Sequence, residues 1–75
     1  MSHFVRISYT DEQGSKSLDQ PLIDLANDCY GGTSEKAVTG SKRILEFLFP
    51  HFEQVSWFTS QLAADYPQVV IDRVA

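Results

Sequence analysis

The chain starts and finishes in strand-like sequence, and this constrains its fold more than any other feature. HFVRISYT (residues 3–10) alternates, with Val5, Ile7 and Tyr9 on one side and Phe4, Arg6 and Ser8 on the other, the period of a strand with one face on a core. Phe4 suggests that the second face is partly covered. Near the other end, QVVIDRV (68–74) is rich in β-branched residues, which fit a pleated surface. A strand must find a partner for its backbone groups, so the last strand is expected to pair with the first.

Helical patterns fill much of the space between. DEQGSK (11–16) fits a turn closing on Gly14, and a short second strand over about 15–18 can pair back as an N-terminal hairpin. Asp19 is a plausible N-cap, with Pro21 in the first turn and Leu18 placed to staple onto Ile23. Leu22, Leu25, Ala26 and Cys29 then share one stripe, Asp24, Asn27 and Asp28 lie opposite, and Gly31 suits the left-handed residue after the helix. A second helix is expected from Thr33 or Ser34 to Pro50, burying Ala37, Ile44, Leu45, Leu48 and Phe49, with Phe52 beyond it also facing the core, and weakened at Gly40. A third spans about 51–66, with Val55, Phe58, Leu62 and Tyr66 at helical spacing and Pro67 as its stop. The rival for 54–59, QVSWFT, is a strand.

The fold class expected is α+β: a small, mainly antiparallel sheet, made of the N-terminal hairpin and the C-terminal strand, with two or three helices packed on one face. Seventy-five residues are expected to form a single domain, 1–75, with little room for a deep cavity. One cysteine excludes an internal disulfide, and no basic-then-apolar leader or long apolar run is visible, so a reducing, cytoplasmic location without membrane contact is expected. The net charge of −4 is uneven. Residues 1–35 carry six acids against two bases, and residues 36–75 carry four of each. Direct nucleic-acid binding needs a basic stripe that this chain lacks. An acidic surface suits a basic protein partner instead.

Candidate chemistry is sparse. Cys29 falls at a helix C-terminus, after Asp28 and on the inward stripe, where the dipole and burial disfavour a thiolate. GGTS can hold an anion only as a helix start, through Gly32, Thr33 and Ser34, and the spacing of GGTSEKAVTGSK is not that of a Walker loop. His3 and His51 are isolated and form no metal-ligand spacing with Cys29. No cofactor or metal is expected.

The residues that stand out are off-stripe aromatics. On helical wheels Trp57 points about 160° away from Val55, Phe58, Leu62 and Tyr66, and Phe47 points about 130° from its own apolar face, beside Lys36 and Arg43. Aromatics and arginines outside a core are the usual anchors of interfaces.

The function expected is a non-catalytic protein-binding module, an adaptor or inhibitor, with Trp57, Phe47, Asp24, Asp28 and Arg43 meeting the partner. Phage or mobile-element inhibitors of host nucleic-acid machinery are a subclass consistent with this composition. Two alternatives remain open: a small-ligand, anion-binding or enzymatic module using Gly31–Ser34 and Cys29, and a homodimeric structural subunit.

Overall fold

A computed structural model describes residues 2–11 and 18–75. Six elements follow one another: β1 (His3–Thr10), α1 (Asp19–Asp28), β2 (Gly32–Thr39), β3 (Lys42–Phe49), α2 (Phe52–Asp65) and β4 (Val70–Val74). The four strands form one antiparallel sheet in the order β2-β3-β1-β4. This is the βαββαβ topology of ferredoxin-like domains, in which each helix crosses between two strands separated by a third.

The α+β class holds, with an antiparallel sheet and two helices on one of its faces. The two ends of the chain do meet: Val5 pairs with Val74 and Ile7 with Ile71, and Phe4 and Ala75 exchange backbone hydrogen bonds of 2.9 Å. The turn and short strand expected over 11–18 fall, apart from their ends, outside the described residues, and the N-terminal hairpin with them.

The main departure lies at residues 33–49. They form a β-hairpin, not a helix. Gly40 is the pivot: its φ of +62° and the Thr39–Lys42 pairing close the strands through a two-residue Gly-Ser loop. A positive φ at the first loop residue alone is the mark of a type II′ turn, which matches the twist of paired strands. Pro50 ends β3, where the ladder no longer needs an N–H.

The core follows from the pleat. Val5, Ile7 and Tyr9 on β1 and Leu45, Phe47 and Phe49 on β3 face the helices and are buried. Leu22, Ala26 and Cys29 from α1 meet them, as do Val55, Phe58 and Leu62 from α2. Phe58 packs edge-on to Phe47 at 5.2 Å and tilted against Phe49 at 5.1 Å, so one ring joins α2 to the middle of the sheet. Leu18 and Ile23 pack at the edge of this core.

Asp19 is the first residue of α1, one position inside the expected cap. Its carboxylate is buried, accepting from the Tyr9 hydroxyl at 2.6 Å and from Arg43 Nε at 3.1 and 3.2 Å. The Leu18 N–H donates to the Tyr9 oxygen at 2.8 Å. This cluster pins the start of α1 to β1 and β3. At the far end of α1, Tyr30 takes the left-handed conformation expected of Gly31, with φ +65°. Its N–H bonds to the Asn27 carbonyl at 2.9 Å, and the Gly31 N–H bonds to that of Ala26 at 2.8 Å, the paired closure of a Schellman motif. Gly31 serves a different need: a Cβ there would lie 2.4 Å from the Phe49 ring.

Candidate docking surface

The fold sorts the charges by layer. Neither α1 nor α2 contains a lysine or arginine. Asp24 and Asp28 on α1 and Glu53 and Asp65 on α2 are exposed. Asp24 accepts from Gln20 at 2.8 Å and Asp65 from Gln61, and among the described residues none of these four carboxylates has a cationic partner. Among the described residues the basic side chains, Arg6, Lys36, Lys42, Arg43 and Arg73, all belong to strands. Among the described residues, therefore, the helical layer carries acids without bases, whereas the strands carry both.

Exposed aromatics gather at one end of that layer. Antiparallel order places the end of α1, the start of α2 and the start of β1 at the same end of the domain. Trp57 is in a helix, as its spacing predicts, and 52% exposed. With His51, Phe52, Glu53 and Gln54 it lines a shallow depression around the first turns of α2. Phe52 is 59% exposed, with its outer flank against His3, ring centroids 5.8 Å apart. The His51 N–H donates to the Gln54 side chain at 3.0 Å, fixing the first turn from which both aromatics project. Tyr30, 72% exposed, stands at the same end beyond Asp28.

Phe52, expected to face the core, is instead exposed in the first turn of α2, and Tyr30 is not distinguished by the sequence. Phe52 sits on the border of the apolar stripe of α2, and Tyr30 adjoins the expected glycine stop, so neither reads as out of place on a wheel. The signal for Tyr30 is its strained backbone: left-handed conformations cost non-glycine residues about 1–2 kcal/mol.

Other sequence-derived candidates are placed differently. Phe47 is fully buried. Its apparent outward direction belonged to a helix that does not exist, and on β3 the alternation with Leu45 and Phe49 turns it into the core. Arg43 is held by Asp19, and the hydrogen bonds it donates to that carboxylate, ahead of their charge attraction, raise its already high pKa. It is thus part of the α1 clamp, well removed from Trp57 at the other end of the sheet. Gly32, Thr33 and Ser34 lie in or beside the ladder of β2, so the helix start on which their anion-binding reading rested is absent. Cys29 is buried, and its thiol is pushed above the ordinary value by burial and then by the Asp28 charge, the reverse of what a nucleophile needs.

Among the described residues no group of three or more His, Cys, Asp or Glu is placed to hold a metal ion, and no helix is long and apolar enough to cross a membrane. No protein-family model matches the chain, and no match was found among curated proteins.

Proposed function

We propose that this chain is a non-catalytic binding protein that docks its helical layer onto a basic surface of another protein. The observation that carries the reading is the pairing of a cation-free acidic helical layer with Trp57 and Phe52 exposed at one end of it. The two features divide the work of recognition. Exposed carboxylates attract a basic surface over about a Debye length and raise the association rate. A large indole then supplies desolvated contact area, and tryptophan is the residue most enriched at interface hot spots. Asp24 and Asp28 extend the acidic surface along α1, and Tyr30 adds a second aromatic beside it.

A basic groove built to take nucleic acid is one partner of suitable chemistry, with the helical carboxylates standing where phosphates would. Direct nucleic-acid binding fits less well. RNA-recognition domains with a four-stranded sheet stack bases on several open-face aromatics. Here the only aromatic on the open face of the described strands is Phe4, and the Arg73 guanidinium lies over it at 5.4 Å.

The test is capture from the native host by the immobilised chain. The reading expects a basic protein whose binding weakens as salt rises and weakens again when Asp24→Lys and Asp28→Lys are combined, with helical circular dichroism unchanged. An affinity indifferent to both would remove the acidic layer from the mechanism.

A further inference from the structure

The sheet has a second face that no helix covers among the described residues. Register places its residues in rows across the strands. The central row reads Glu35, Glu46, Arg6, Arg73 from β2 to β4. On one side of it Leu48 pairs with Phe4, and on the other Ala37, Ile44, Ser8 and Val70 form a mostly apolar row. Leu48 is 43% exposed and Val70 is 57% exposed. Arg6 Nε donates to Glu46 at 2.7 Å in the middle of the row.

Beside that central ion pair, the outer charges of the row are unfavourably placed within one molecule. Glu35 stands directly opposite Glu46, and Arg6 opposite Arg73, and like charges facing across a ladder destabilise a sheet. The same order is self-complementary. Rotation by half a turn about an axis parallel to the strands, between β1 and β3, keeps each row at its own height and reverses it from side to side. Glu35 then faces Arg73 of a second copy, Glu46 faces Arg6, and each apolar pair is met by its mirror: Leu48 by Phe4, and Ala37 by Val70.

We infer that the open sheet face is a two-fold interface between two copies of this chain. Sheets stack about 10 Å apart with their strands within about 30° of each other, a gap that long Arg and Glu side chains span. Four strands about 4.8 Å apart and about seven residues long present roughly 450 Å² in projection on each copy. Two copies together approach the ~1,000 Å² at which specific interfaces begin, the size of a weak, concentration-dependent dimer. The apolar rows supply the contact, and the charged row fixes orientation. The acidic helical layers face outward, apart from each other and free for a partner, so this interface does not depend on the binding role proposed above.

Sedimentation equilibrium over a wide concentration range tests the assignment. Wild-type chain should pass from monomer to dimer. Glu35→Arg alone and Arg73→Glu alone should each weaken the dimer by about tenfold or more, since each sets like charges face to face. Glu35→Arg should keep or raise the melting temperature of dilute monomer, because it relieves a like-charge pair within the sheet, whereas Arg73→Glu relieves the other pair but gives up the contact of Arg73 with the Phe4 ring and should leave it little changed. An equimolar mixture of the two should regain the dimer, as each introduced charge then meets its opposite. Trp57 emission should not change across the transition, because the indole lies on the other side of the molecule. A chain monomeric at every concentration, a dimer unaffected by both single variants, or a mixture without recovery would each overturn the assignment. If either charge variant fails to fold, Leu48→Arg serves in its place, and an unweakened dimer from it would be equally fatal.

Discussion

Replacing Gly40 by alanine separates the hairpin from the helix that the same residues suggest, because the two differ in the sign of the effect. In a helix interior this substitution stabilises by about 1 kcal/mol. In the structure no atom outside the glycine's own neighbours lies within 4 Å of a Cβ built at Gly40, so the added methyl meets no clash. The whole effect comes from φ +62°, where an L-residue costs about 1–2 kcal/mol. In a domain of this size each kcal/mol shifts the melting temperature by about 4–8 °C. Thermal unfolding followed by circular dichroism should therefore show a fall of roughly 5–15 °C. Gly40→Asn should lose stability as well, since the first position of a type II′ turn favours glycine. A melting temperature unchanged or raised by Gly40→Ala would refute the turn, and with it the placement of β2 and β3.

Phe47 and Trp57 should part company when truncated: Phe47→Ala is expected to cost about 3–5 kcal/mol of folding stability by urea titration, the range for a large core aromatic, whereas Trp57→Ala should cost well under 1 kcal/mol. Equal losses would show that the indole is part of the core. Cys29 should react slowly with a thiol reagent in the native state and quickly once unfolded. Because its folded pKa is raised by burial and Asp28, the unfolded chain gives up this proton first; its contribution to stability is complete below the unfolded thiol value near ~8.5 and is lost as pH climbs through the folded one. Cys29→Ala should flatten that alkaline decline, and an unaltered pH profile would contradict the assignment.

What the sequence discloses depends on how many faces an element buries. β1 alternates because its two faces differ, and α2 carries Val55, Phe58 and Leu62 at a period that no strand shares. β3 does neither. Leu45, Phe47 and Phe49 enter the core while Ile44 and Leu48 line the open face, so apolar residues appear on both sides and the run imitates a helical stripe. The local chemistry that decides the matter is Gly40-Ser41, a loop suited to a type II′ hairpin, between Val38-Thr39 and a strand-forming run.

The same distinction governs the candidate surface. Trp57 was legible as an outward residue because its helix was legible. Phe47 reads as outward only on a helix, and β3 turns it into the core. The absence of cations from both helices is visible in the sequence only after the helices are known. The row Glu35, Glu46, Arg6, Arg73 draws one residue from each of four strands, and only the register brings it together.

Trp57 emission offers the most direct test of docking through the helical layer, because the chain has a single tryptophan. In the free protein it should be red-shifted and open to acrylamide quenching. On titration with the basic partner recovered from the host, it should move to the blue and become protected, and Trp57→Ala should weaken that complex by about 2 kcal/mol or more, the size of an interface hot spot. An emission and a quenching constant left unchanged by a saturating partner would place the contact elsewhere and contradict the proposed role of this surface.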